Sequence, residues 1–141
     1  MRLSTKAQYA VRALVDLSLN SAGRPVALRE ISLREEIPLN YLEQLFNRLK
    51  NGNIVTSVRG PRGGYLLARG AFQILLSEIV MTVEESLNPV ACLDGSGGCS
   101  RATQCVTYDV WKELGKTIRN FLDSITLEDL TRKAADKLAR E

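Results

Sequence analysis

Residues 54–67 leave this chain few architectures to choose from. Ile54-Val55-Thr56-Ser57-Val58 is rich in β-branched residues, and Tyr65-Leu66-Leu67 is a second short apolar run. Between them lies Arg59-Gly60-Pro61-Arg62-Gly63-Gly64, a cluster of turn formers carrying two cations. β-Branched runs favour extended backbone, and two of them around a Gly/Pro cluster make a hairpin. An isolated hairpin is marginally stable in water, so this one has to lean on helices.

The helices precede it. Ala7, Ala10, Val11, Leu14, Val15 and Leu17 recur at helical spacing, which predicts an amphipathic helix over 5–20, started by a Ser4 or Thr5 cap. Asn20-Ser21-Ala22-Gly23 and Pro25 end it. A short helix is expected at 28–36, then a turn at Pro38. A third helix follows at 39–51, with Leu42, Leu45, Phe46 and Leu49 on one face and Asn51-Gly52 as its stop. Helix, helix–turn–helix and hairpin in that order describe a winged helix. The expected fold class is therefore mainly α: a winged helix-turn-helix of three helices plus a two-stranded wing, with a long C-terminal dimerisation helix. The division is 1–70 for DNA binding, 71–102 for a linking helix (75–85) and a Gly-rich cysteine loop, and 103–141 for the long helix (103–124) and a last helix (127–140). Thr126 should cap that last helix, with Asp129 as the capping-box acid.

Charge divides the same way. Residues 1–70 hold 11 Lys+Arg against 5 Asp+Glu, a net of +6, and residues 71–141 hold 8 against 11, a net of −3. A basic half attracts phosphates, although chance clustering on solvated faces gives the same arithmetic. There is no histidine, which excludes Ser-His-Asp and Cys-His catalysis and zinc sites of mixed Cys and His. Neither a phosphate loop nor a dinucleotide-binding glycine motif is present, so the expectation is a non-enzyme. No apolar run reaches the roughly 18–20 residues of a membrane span, and residues 1–6 lack a signal-peptide core. A cytoplasmic location is expected.

In a helix–turn–helix the second helix lies in the major groove. With its leucines turned inward, Asn40, Tyr41, Glu43, Gln44 and Asn47 fall outward. Asn and Gln suit adenine and Glu suits cytosine, while Arg48, Lys50, Arg2 and Lys6 suit phosphates. Arg59 and Arg62, on a thin Gly/Pro tip, suit the minor groove. An ordinary helical hairpin with a solvated face and a soluble turn would share much of this pattern.

Three cysteines, Cys92, Cys99 and Cys105, fall within fourteen residues. An odd number cannot close a disulfide framework within one chain. Soft thiolates suit iron–sulfur clusters or zinc, Gly95, Gly97 and Gly98 allow the sulfurs to converge, and Arg101 favours thiolate. Three unrelated thiols in a loop, or a thiol–disulfide switch, would satisfy the spacing too. The apolar stripe from Val106 to Leu122 exceeds what one chain can cover on one side. A two-fold dimer would bury it and set two recognition helices roughly 34 Å apart on palindromic duplex DNA.

Tyr41-Leu42-Glu43-Gln44-Leu45-Phe46, followed by Ser57-Val58-Arg59-Gly60-Pro61-Arg62-Gly63-Gly64-Tyr65-Leu66-Leu67, resembles the IscR-type family of iron–sulfur cluster regulators. The opening Met1–Lys6 with Tyr9-Ala10-Val11, the spaced cysteines and residues 122–130 match as well, so the resemblance spans about residues 1–130. It implies a homodimer, an iron–sulfur cofactor of the 2Fe–2S type, control of iron–sulfur assembly genes in either direction, and a cluster-free form that binds a different class of DNA site. Glu43 is expected to select between site classes, because a buried carboxylate facing the wrong base is left unpaired. The family pattern puts a histidine three residues after the third cysteine, where this chain has Tyr108. Related sensors use an acidic residue at the position of Gln8. The fourth ligand stays open among Tyr108, Asp109, Asp94, Glu84, Glu85, a water and a small thiol, with an oxygen donor expected. The competing function is a thiol-redox- or zinc-responsive winged-helix regulator or protein-interaction module.

Overall fold

A computed structural model describes residues 3–84, Pro89 and residues 106–140. The chain runs α1 (Thr5–Asn20), α2 (Leu28–Glu35), α3 (Leu39–Asn51), β1 (Val55–Val58), β2 (Gly64–Leu67), a single 3-10 turn (Ala71–Gln73), α4 (Leu76–Val83), α5 (Val106–Asp123) and α6 (Leu127–Ala139). Mainly helical, with one two-stranded antiparallel sheet, it is the winged helix-turn-helix expected from sequence.

The central element is α1. Ser4 caps it, its hydroxyl accepting from the Ala7 N–H at 3.2 Å. Ala7, Ala10 and Ala13 are fully buried with Leu14 and Leu17. Small side chains on one helical face let neighbouring backbones approach, and α2, α3, α4, α6 and β2 all pack on α1. On α3 the buried set is Leu42, Leu45, Phe46 and Leu49, the i, i+3, i+4, i+7 stripe of a core-facing helix. Between α2 and α3, Glu36 adopts the left-handed conformation at φ 55°, and its N–H returns to Ser32 O. That residue closes α2 one position before the expected end.

The wing pairs Val55 with Leu67 and Val58 with Gly64. Val26, ahead of α2, bridges Tyr65 on the outer edge of β2, with N–H to O distances of 3.0 and 2.9 Å. Gly64 permits this approach: a Cβ there would sit 2.3 Å from Val26 O. The Phe46 and Tyr65 rings meet edge-on at 5.0 Å, fastening the hairpin to α3. At the wing's far end, Gly52 passes so close to α4 that a Cβ would lie 2.8 Å from the Thr82 methyl. The left-handed residue after α3 is Asn53 (φ 61°) rather than the expected glycine.

Beyond the wing the linking helix is shorter than expected, ending at Val83 with Glu84 extended, and the 3-10 turn before it was not foreseen. Leu76 N–H donates to Ile125 O and Leu127 N–H to Ile74 O, both at 2.8 Å. These bonds sew the start of α4 to the start of α6. Ile74, Ile79, Val80, Val83 and Leu127 join the same buried cluster as α1–α3. The capping box forms as expected, with Thr126 accepting from Asp129 N–H and Asp129 from Thr126 N–H.

Candidate nucleic-acid interface

The outer face of α3 presents Asn40, Glu43, Gln44 and Asn47, all exposed. With the leucine stripe fixed in the core, these amides and this carboxylate stand clear of the protein on one side of a thirteen-residue helix. Arg59 and Arg62 are exposed at the wing tip. That tip is tight: Gly60 has φ 112°, and a Cβ on Gly63 would fall 2.1 Å from Val58 O. Lys6 is exposed in the first turn of α1. Among the described residues, neither Lys6, Arg59 nor Arg62 has an ion-pair partner. Arg2 lies outside the described residues.

Two residues expected at the interface also make contacts within the protein. Tyr41 is half-buried, its ring meeting Tyr9 of α1 edge-on at 5.6 Å. It occupies the margin between core and outer face, where a large ring gains more by folding against α1. Arg48, expected on a phosphate, turns toward α4 and donates from Nη1 to the Val83 carbonyl at 3.2 Å. That carbonyl is in the last turn of α4 and has no helical partner, so the arginine serves as its cap.

Arg34 and Asp16 went unnoticed in the sequence. Asp16 is 3% exposed on the inner side of α1. Arg34 of α2 grips it through Nε at 3.1 and 3.0 Å and through Nη2 at 2.8 Å. This hydrogen bonding raises the Arg34 pKa. Glu35 beside it is also raised, chiefly by burial and then by the Asp16 carboxylate, with Arg12 opposing. An aspartate on an otherwise apolar helical stripe was the one available signal, since buried charges are paired.

Cys92, Cys99 and Cys105 lie outside the described residues, as do Glu85 and Asp94. Glu84 is described and engaged: its Oε1 accepts from the Ser4 N–H at 3.1 Å and from the Ser4 hydroxyl. The end of α4 is thereby tied to the start of α1. Tyr108 is half-buried and Asp109 exposed, both in the first turn of α5. Gln8 donates to Leu3 O. Among the described residues no cluster of His, Cys, Asp and Glu suited to a metal occurs, and no helix is long and apolar enough to cross a membrane.

The long helix α5 buries none of its eighteen residues. Val106 is 86% exposed, Val110 56%, Trp111 37%, Leu114 39% and Phe121 63%. One face meets α4, where Arg119 reaches the Met81 sulfur.

Known proteins share this arrangement. The regulator IscR of Cronobacter sakazakii, of the helix-turn-helix type, is 47% identical over 130 residues, spanning 92% of this chain and 80% of that protein. Among solved structures, T. potens IscR superposes with a TM-score of 0.78 at 36% identity, covering 95% of this chain and 88% of that one. CymR, the global cysteine regulator of B. subtilis, superposes with a TM-score of 0.78 at 29% identity, covering 94% and 98%. These relatives are transcriptional regulators rather than enzymes. With residues 3–133 matching the Rrf2 description, and with a winged helix that presents a polar α3 face beside a basic wing, the chain belongs to the Rrf2 family of iron-dependent transcriptional regulators.

Proposed function

We propose that this regulator acts in the cytoplasm as a homodimer on palindromic promoter DNA and reads iron–sulfur status through Cys92, Cys99 and Cys105. The observation that carries the DNA half is the row Asn40, Glu43, Gln44 and Asn47 standing free on α3, flanked by the uncommitted cations Arg59 and Arg62. The helix reads base edges in the major groove, and the wing and Lys6 hold phosphates and the adjacent minor groove. Dimer formation rests on α5, whose Val106, Val110 and Phe121 are left largely without cover in the single chain. A second α5 across a two-fold axis supplies it.

For the cofactor, the donor chemistry fits: three thiolates are the ordinary protein ligands of an iron–sulfur cluster. Without histidine, an oxygen is the expected fourth donor. Glu84 is spent on Ser4, which leaves Tyr108 and Asp109 among the described candidates, in the turn of α5 that directly follows Cys105. A bound 2Fe–2S cluster would supply a group that responds to iron supply and redox state, and the genes under control would be those for assembling such clusters. Glu43 would discriminate between site classes, since a desolvated carboxylate facing a base without a donor goes unpaired.

Anaerobic purification with iron and sulfide assays, absorption spectra and duplex binding tests this reading. Iron and sulfide in equal amounts, lost together on Cys→Ser substitution at any of the three cysteines, support it. Stoichiometric zinc without sulfide, or a bound metal indifferent to all three substitutions, refutes it. Substituting Asp109→Ala and Tyr108→Phe then identifies the oxygen donor by a changed spectrum.

A further inference from the structure

Along one stripe of α1, Tyr9, Arg12 and Asp16 lie at i, i+3 and i+7, so their side chains share a face. Each reaches a different part of the helix–turn–helix. Asp16 holds Arg34 in the body of α2. Arg12 donates from Nη2 to the backbone carbonyl of Glu35, the last residue of α2, at 2.5 Å, and its Nε lies 3.5 Å from the Glu35 carboxylate. The same guanidinium stacks over the Tyr9 ring, 5.4 Å from its centroid. Tyr9 in turn meets Tyr41 in the first turn of α3, with the ring planes at 89°. Arg12 is therefore connected to the end of one helix and, through one ring, to the beginning of the next.

What lies between those two ends is short. Only Glu36, Ile37 and Pro38 separate α2 from α3, and α3 begins with no side-chain cap. The Glu35 carbonyl is one of the unpaired groups of a helix C-terminus, and a cation there also suits the helix dipole. The direction of α3 relative to α2 is held from α1: Arg12 contacts the end of α2 directly and reaches the start of α3 through the Tyr9 ring.

We infer that Arg12 is a positioning residue for DNA discrimination: it fixes the turn between α2 and α3 from outside and thereby sets the pose of the groove-reading helix. It is 48% exposed, so it contributes little to the core, which Asp16–Arg34 and the leucines of α3 hold without it. Base recognition, in contrast, tolerates only small displacements of the reading side chains. The inference rests on α3 being the reading helix. It also removes Arg12 from the set of phosphate contacts, where its charge and exposure would otherwise place it.

The test compares full-length wild type, Arg12→Lys, Arg12→Gln and Glu35→Gln on two duplexes. One is the sequence that wild type selects best from a random pool, the other its scrambled counterpart. Urea midpoints and the salt dependence of binding are measured alongside. Lysine keeps the charge but cannot both stack flat on Tyr9 and reach the Glu35 carbonyl. Both Arg12 variants should lose about tenfold in the ratio of selected to scrambled affinity. Scrambled-duplex affinity, its salt slope and the urea midpoint should stay near wild type. Glu35→Gln, which keeps the backbone acceptor, should retain the ratio. A uniform loss on both duplexes with a salt slope shallower by about one, restored by lysine, would make Arg12 a phosphate contact and overturn the inference. An unchanged ratio, or a loss that tracks a lowered urea midpoint, overturns it as well. Gln44→Ala separates the two levels: if it too leaves the ratio unchanged, the assignment of α3 as reader has failed rather than the role of Arg12.

Discussion

Val110 and Leu114 lie one turn apart on α5 and are 56% and 39% exposed in the single chain. Replacing both by glutamate separates a dimer helix from a surface helix. Burying a whole valine or leucine is worth about 1.5–3 kcal/mol, so covering the half still exposed contributes about 1 kcal/mol for each side chain. A two-fold interface contains each position twice. Four side chains thus carry about 4 kcal/mol of association free energy, close to a thousandfold in dissociation constant. The glutamates add to this, since carboxylates crowded near a two-fold axis repel one another and lose water. Within one chain, by contrast, Val110 already faces solvent and Leu114 is 39% exposed, so the substitutions should cost the single chain less than they cost the interface. The V110E/L114E variant should therefore sediment as a folded monomer of about the 15.6 kDa chain mass at concentrations where wild type is twice that, with an unchanged helical circular dichroism spectrum. A variant as dimeric as wild type, or a wild type monomeric at tens of micromolar, refutes the assignment of α5.

Three further perturbations follow from the described contacts. Arg34→Met strands Asp16 in the core and should cost about 3–5 kcal/mol in urea unfolding. Asp16→Asn leaves Arg34, 38% exposed, free to reach water and should cost less, about 1–3 kcal/mol; the reverse order would show that the pair is not buried as described. Asp129 has its pKa lowered by the Thr126 backbone N–H and then the Thr126 hydroxyl. Its contribution is present above the usual aspartate value of 3.8 and disappears as pH falls through the lower folded value. Asp129→Asn should flatten the acid limb of stability in that window. Arg59→Gln and Arg62→Gln should each make the salt slope of DNA binding shallower by about one, and unchanged slopes would remove the wing from the interface.

Sequence periodicity disclosed which face of each helix turns inward, because apolar spacing and core burial have one cause. The stripe Leu42, Leu45, Phe46 and Leu49 is buried as its spacing implied, and the Thr126–Asp129 box formed because its partners are three residues apart. Pairings between distant residues were not legible. Ser4 with Glu84, Arg48 with Val83 and Arg12 with Glu35 are 80, 35 and 23 residues apart, and no local rule nominates such partners. The intramolecular contacts of Tyr41 and Arg48 were not legible for that reason: each lies beside a core position, and a long side chain at the margin follows whichever neighbour the tertiary fold provides. Asp16 announced itself only as an anomaly on an apolar stripe. In the cysteine segment, spacing and thiol chemistry carry the reading, and the absence of histidine removes imidazole from the candidate fourth donors.

The most direct measurement is the affinity of the purified protein for its best selected two-fold-symmetric duplex and for a scrambled duplex, over a range of salt and before and after iron–sulfur loading. Preference for the selected duplex is expected to be at least about a thousandfold. Affinity for both duplexes should fall steeply with salt, and the ranking of sites should change with cluster occupancy. Equal affinity for selected and scrambled duplexes in both states would contradict it.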